Sequence, residues 1–231
     1  MPSPIPFVAG AALLALAGLP NAAWAAGRPV VVELFTSQSC SSCPPAEALL
    51  GELAGAGGDV LPLAFHVTYW NRLNWRDTFS LPEATERQQA YAARLGDGTF
   101  TPQIVVDGRR SVVGSRREAV STAITQARGE REAATPVALA REGGRLAIRL
   151  GAGAGTGQIL LIGFDPRHET RVARGENAGR TIPQANVVRS VRALGAWTGA
   201  ARDFSEPLPP GAEAAVIVQA ADGRILGAAR L

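Results

Sequence analysis

The feature that most constrains this chain lies in residues 30–45, where an apolar run, two cysteines and two prolines follow one another. Residues 30–35 read VVVELF, β-branched and apolar as a buried strand should be. A polar loop leads to Cys40-Ser41-Ser42-Cys43, and Pro44-Pro45 stands next. Proline is tolerated in the first turn of a helix, where its missing N–H costs no hydrogen bond, so a helix begins here. Ala46, Leu49, Leu50, Leu53 and Ala54 recur at helical spacing and give that helix one apolar face. The glycines of 55–58 end it, and residues 60–67 (VLPLAFHV) form a second apolar strand. A β-α-β unit of this kind favours parallel strands joined by a right-handed crossover.

The setting gives the two cysteines a chemistry. A thiol at a helix N-terminus sits at the positive end of the helix dipole, beside backbone N–H groups that have no partner within the helix. That lowers its pKa and raises the fraction of thiolate, the form that attacks disulfides. With the two cysteines three positions apart, the second thiol can resolve the mixed disulfide made by the first. Cys40 is therefore expected as the nucleophile and Cys43 as the resolving thiol. Cys40 and Cys43 are the only cysteines in the chain, which argues against a disulfide-stapled scaffold and against a four-ligand structural zinc site.

Further along, residues 69–79 (YWNRLNWRDTF) are irregular and aromatic. Tyr69, Trp70 and Trp75 are expected either as a rim beside the cysteines or as filling between two halves of the molecule, with Arg76 and Asp77 as a local ion pair. Ser80 to Glu83 has the form of a capping box opening a helix that runs to about Leu95. A strand is expected over 103–106, with Thr101-Pro102 just before it. Asp107-Gly108 signals a hairpin into 111–114. A second capping box, Ser115 to Glu118, opens a helix with Ala119, Ala123, Ile124 and Ala127 on one side. The order β-α-β-α-β-β-α results.

From about residue 135 helical periodicity disappears. Short apolar runs at 137–140, 146–150, 158–164, 187–191, 214–220 and 224–228 alternate with turn-rich segments, the signature of an antiparallel sheet or sandwich. The tract 151–157 (GAGAGTG) lacks the strand-to-helix setting that phosphate binding needs and is expected as a loop. His168, after Asp165-Pro166, is expected in a loop, and Glu176-Asn177 as a conformational turn.

Residues 1–26 carry no charged side chain, and 7–19 (FVAGAALLALAGL) is too short to cross a bilayer ~30 Å thick. Ala23-Trp24-Ala25 suits cleavage after Ala25, so residues 1–25 are expected to be a secretory signal peptide. A periplasmic or secreted location follows, with no stable membrane insertion after cleavage. All 23 basic residues are arginine, and they are scattered without a basic stripe, which excludes nucleic acid as the expected partner.

On these motifs the stretch from Val30 to Arg128 resembles the thioredoxin-like superfamily. That resemblance implies a cis Pro102 facing the cysteine pair, where with Thr101 it helps shape a substrate groove. The chain is also similar to an uncharacterised secreted family, domain of unknown function 1223. The shared blocks are VELFTSQSCSSCPPAE (32–47), HVTYWNRLNWRDTFS (66–80), TPQIVVDG (101–108) and RGENAGRT (174–181). Thr68 stands where that family usually has Asp, and Ile182-Pro183-Gln184 lacks the histidines often found after GRT. Redox-active thioredoxins carry Trp where this chain has Ser39, and Gly-Pro where it has Ser41-Ser42. Their buried acid has no clear counterpart: Glu33 is one position out of step, and strand alternation turns it toward the opposite face, which leaves it a weak candidate.

The expected fold is thus α/β, a thioredoxin-like domain over 28–130 followed by a β-rich antiparallel, sandwich-like domain over 135–231. The expected function is thiol–disulfide exchange on protein thiols or disulfides, with a membrane redox partner as a further expected partner and the redox direction left open. Cys40, Cys43 and Pro102 carry the catalysis, Thr101 and Trp70 contact substrate, and no metal or cofactor is required. Two alternatives stay open. The cysteines could form a permanent structural disulfide in a binding module, or Cys40, Cys43 and His66 could hold Cu(I), an ion suited to soft thiolates.

Overall fold

The computed structural model describes residues 27–130 and 134–231; the expected signal peptide lies outside them. The first half follows the order read from the pattern. It comprises β1 (Val30–Thr36), α1 (Pro44–Ala56), β2 (Val60–His66), a single 3₁₀ turn (Tyr69–Arg72), α2 (Pro82–Leu95), β3 (Gln103–Val106), β4 (Arg110–Val113) and α3 (Arg117–Gly129). The second half is all strand: β5 (Val137–Glu142), β6 (Arg145–Leu150), β7 (Gly157–Arg171), β8 (Thr181–Trp197), β9 (Arg202–Pro207), β10 (Glu213–Gln219) and β11 (Ile225–Arg230).

The architecture is mixed α/β, dominated by one large sheet. Eight strands lie in the order β11-β10-β7-β8-β2-β1-β3-β4, and β5-β6-β9 form a separate three-stranded sheet. β1 and β2 run parallel in register from Val30↔Val60 to Thr36↔His66. The halves join where β8 meets β2 at Ala64↔Val187, so the large sheet takes four strands from each side of residue 130. Sequence pattern shows β7 and β8 only as short apolar cores. In the structure they extend to 15 and 17 residues and form a hairpin whose outer half is polar.

Every residue of β1 and β2 is buried, as for strands covered on both faces. Alternation sends Val30, Val32 and Leu34 into a core with Leu50 of α1 and Ile124 of α3. Val31 and Phe35 face the opposite core, which joins Tyr91 of α2 to Leu160 and Ile162 of β7. A third core packs Leu146, Ile148 and Leu150 of the small sheet onto Ile159, Leu161 and Val216 of the large one.

The helix starts differ from expectation in one respect. α2 begins at Pro82 with Leu81 as N-cap, and α3 at Arg117 with Arg116 as N-cap, and neither N-cap side chain caps its helix. Ser80 and Ser115 each lie one residue too early to cap. The Ser80 hydroxyl instead donates to the Asp77 carbonyl. At the β3–β4 hairpin, Asp107 and Gly108 both adopt positive φ (49° and 69°), the geometry that makes Asp-Gly a hairpin signal.

Candidate active site

β1 delivers the chain to the site. After Thr36 the backbone turns, the Cys40 N–H donating to the Ser37 carbonyl (3.0 Å) and the Cys43 N–H to the Cys40 carbonyl (3.2 Å). Cys43 is the N-cap residue of α1, which Pro44 then opens. Cys40 and Cys43 are joined as a disulfide, with their Cα atoms 5.4 Å apart. Both are sealed from solvent, at 0% and 1% exposure, while Ser41 and Ser42 between them are exposed.

Of the residues expected to line a groove, Thr101 reaches the first sulfur and Trp70 reaches Thr101. Thr101-Pro102 is a cis peptide bond, and Pro102 is buried. The Thr101 hydroxyl donates to Cys40 Sγ at 3.3 Å, and the Trp70 indole N–H donates to Thr101 Oγ1 at 2.9 Å. The Ser42 hydroxyl lies 3.4 Å from the same sulfur. A disulfide sulfur has no proton, so in both contacts the hydroxyl is the donor.

Beside the cysteine loop and the first turn of α1 lies a set of ionisable side chains that sequence reasoning did not assemble. Glu47 stands one helical turn after Cys43, and a helical side chain covers the turn N-terminal to its own Cα. Its Oε1 accepts from the Thr36 hydroxyl at 2.7 Å, while Oε2 is buried without a hydrogen-bond partner. Burial pushes the Glu47 carboxyl above its ordinary range, outweighing His66 and Thr36, which pull it down. His66, at the end of β2, is fully buried with Nδ1 2.7 Å from Asp77 Oδ2. Burial disfavours the imidazolium, but the charge and hydrogen bond of Asp77, with the charge of Glu47, outweigh it and raise His66. Burial likewise opposes ionised Asp77. His66 and the backbone N–H groups of Gln38 and Phe79 prevail and lower it.

The outer end of the β7–β8 hairpin closes over the cysteine loop. Asn177 Nδ2 donates to the carbonyls of Gln38 (3.0 Å) and Cys40 (2.8 Å), and Glu176 Oε2 accepts from the Ser41 N–H at 3.1 Å. Gln38 in turn donates its N–H to Asp77 (2.7 Å) and its side-chain amide to Thr170 of β7 (3.2 Å). Thr170 donates to Gln184 Oε1 at 2.8 Å, and the Gln184 amide lies 3.4 Å from His66 Nε2. Trp75 completes the rim, its indole donating to Gln38 Oε1 at 3.0 Å.

Several expectations are corrected here. Glu33 is not the acid beneath the cysteines; strand alternation turns it to the opposite core, where it pairs with Arg87 and Tyr91. Asp77 pairs with His66 rather than with Arg76, because Gln38 and His66 meet it in the interior. His168 is not in a loop but on β7, with Nε2 2.7 Å from Asp165 and its ring 4.5 Å from that of Phe79. Asn177 acts through its side chain rather than through unusual backbone geometry. His66 is engaged with Asp77 and Gln184, and no group of three His, Cys, Asp or Glu placed to hold a metal occurs among the described residues. The signals that could have found the missed groups are Glu47's spacing of four from Cys43 and the place of Asn177 within the RGENAGRT block.

Comparison with known proteins places this geometry in context. A family model described as protein of unknown function (DUF1223) matches residues 31–219. A crystal structure of an Agrobacterium tumefaciens protein is similar, with 32% identity and a TM-score of 0.78 over 90% of this chain and 96% of that one. HBP35 of Porphyromonas gingivalis shares the fold at 15% identity, with a TM-score of 0.60 over 88% of this chain and 74% of its own. None of the curated proteins matches the chain.

Proposed function

The chain belongs to the DUF1223 family, and from the chemistry of its site we propose that it is an exported thiol–disulfide oxidoreductase whose N-terminal half is thioredoxin-like. The observation that carries this reading is Glu47. A disulfide that only held a loop closed would have no use for a buried carboxyl one helical turn from Cys43 with one of its oxygens left without a hydrogen bond. Burying such a group without a full set of hydrogen bonds costs stability, on the order of 1–3 kcal/mol.

In the proposed reaction a substrate thiolate attacks Cys40 Sγ. A substrate–Cys40 disulfide forms, the Cys40–Cys43 bond breaks, and the electron pair passes to Cys43 Sγ. Glu47, whose carboxyl pKa burial pushes up, supplies the proton that Cys43 takes up. A second substrate thiolate then attacks the sulfur bound to Cys40 and expels Cys40 as thiolate, so the substrate dithiol is oxidised and the protein pair reduced. The reverse sequence reduces a substrate disulfide, with the Glu47 carboxylate accepting the Cys43 proton. Because Cys40 is sealed, attack requires the 172–180 turn or the 69–76 loop to lift. The apolar run at 7–19 and Ala23-Trp24-Ala25 support export, and the substrates are protein thiols or disulfides in an oxidising compartment.

The test is covalent trapping. Cys43→Ser, incubated with a disulfide-bonded peptide after reduction of Cys40, should accumulate a mixed disulfide at Cys40, and Cys40→Ser should abolish exchange. A second reading, a binding module with a structural disulfide, is favoured by the zero exposure of Cys40. It predicts no mixed disulfide in any native variant.

A further inference from the structure

We infer that Trp70 and Thr101 form a directional hydrogen-bond chain that makes Cys40 the sulfur that carries the negative charge in the reduced pair. The inference rests on the exchange reaction proposed above and adds to it an assignment of which residues control the charge. Its basis is the donor and acceptor inventory of the two side chains. An indole N–H can only donate, so at 2.9 Å the Trp70 Nε1–H occupies a lone pair of Thr101 Oγ1. The single hydroxyl proton of Thr101 is thereby turned away from Trp70, and the acceptor it meets is Cys40 Sγ at 3.3 Å. Trp70 is packed against the core that includes Phe65 and Tyr91, and Thr101 is fixed between Phe100 and the buried Pro102. Neither group has to reorganise as the disulfide opens, and a preorganised donor acts most strongly on the charge that develops beside it.

The effect is selective. The Ser42 hydroxyl is a second donor to the same sulfur, but Ser42 is exposed and its hydroxyl is shared with water. Thr101 is half-buried and its contact belongs to a chain, and hydrogen bonds in such chains strengthen one another. On this account Thr101 is a catalytic residue, since it touches the reacting sulfur. Trp70 is a positioning residue, acting through Thr101. Cys40 leaves as thiolate in oxidation of a substrate and attacks as thiolate in reduction. Cys43 is the sulfur that must be protonated and deprotonated.

The experiment is titration of the reduced, full-length protein, following thiolate absorbance near 240 nm and alkylation rate against pH. Thr101→Val keeps the shape and removes the donor, and should raise the Cys40 pKa by about one to two units, the worth of one hydrogen bond to a charged acceptor. Trp70→Phe keeps the ring packing and should shift Cys40 in the same direction by less, while Thr101→Ser should restore the native value. A role confined to packing would lower stability and leave the titration unmoved. Unchanged Cys40 titration in both Thr101→Val and Trp70→Phe overturns the inference, and if Thr101→Val does not fold, Trp70→Phe decides alone. The titration needs no substrate, so failure of the protein to exchange with any thiol would overturn the proposed reaction and leave this result readable.

Discussion

Asn177 donates its side-chain amide to the backbone carbonyl of Cys40 at 2.8 Å, although 137 residues separate the two in the chain. The same nitrogen reaches the Gln38 carbonyl, so one buried side chain from the β7–β8 hairpin spans both sides of Ser39. The relationship explains why a cysteine block in the first half and an RGENAGRT block in the second occur together. The large sheet brings the hairpin alongside β2, and the outer end of the hairpin then lies over the cysteine loop.

Asn177→Ala should therefore weaken the site before it weakens the fold. Losing the donor to two carbonyls costs about 1–3 kcal/mol, and the cysteine loop loses its attachment to the hairpin. The expected outcome is faster reduction of the Cys40–Cys43 disulfide by dithiothreitol in native buffer, with a modest drop in urea midpoint. Unchanged reduction kinetics would mean that the hairpin does not hold the loop.

Stability should fall as the solution becomes alkaline. The folded-state pKa of His66 is raised, so its contribution is fully present below the usual histidine value of about 6.5 and is lost as pH rises through the folded value. Glu47, also raised, acts with the same sign. Asp77 is lowered, so its contribution is present above about 3.9 and is lost only as pH falls through its lower folded value. Maximal Tm is expected near pH 4, with a decline as pH rises through the folded values of Glu47 and then His66. His66→Gln should flatten that decline, as thermal unfolding across pH will show.

Glu47→Gln tests proton delivery to Cys43. The amide keeps the acceptor for Thr36 but cannot give up a proton, so single-turnover exchange should slow by about 10²–10⁴-fold, the usual range for a positioned acid or base. Melting temperature should hold or rise, since an ionisable group has left the interior. A variant with native exchange rates and native pH dependence would remove Glu47 from the mechanism.

The Glu33–Arg87–Tyr91 network should prove structural. Arg87→Met leaves the Glu33 carboxyl buried beside Tyr91 and should cost about 3–5 kcal/mol in urea unfolding. Restoring balance with Glu33→Gln should recover part of that loss. Neither change should alter the titration of Cys40, because strand alternation places Glu33 in the core opposite α1.

The N-terminal half was legible because its signals are local. Periodicity located α1, Asp107-Gly108 marked its hairpin, and the cysteines announced the helix start. Thr101 and Pro102 could be named from the family resemblance and Trp70 from the aromatic run; Thr101 meets Cys40, and Trp70 meets Thr101. What stayed hidden depends on contacts between distant segments. Glu47 reads as an ordinary acidic residue in a first helical turn until Thr36 and His66 are seen around it. The length of β7 and β8 was missed because their outer halves are polar, their hydrogen bonding to each other needing no apolar pattern. The capping boxes failed by one residue, since Leu81 and Arg116 take the N-cap positions.

The central claim is that the Cys40–Cys43 pair opens and closes in the folded protein, and equilibration across glutathione redox buffers tests it most directly. Free thiols are counted by alkylation and mass, and near-ultraviolet circular dichroism reports the fold in the same samples. The account predicts reversible interconversion of disulfide and dithiol, the same midpoint from both directions, and a native spectrum throughout. A disulfide that resists every glutathione ratio and is reduced only once the spectrum is lost would contradict it.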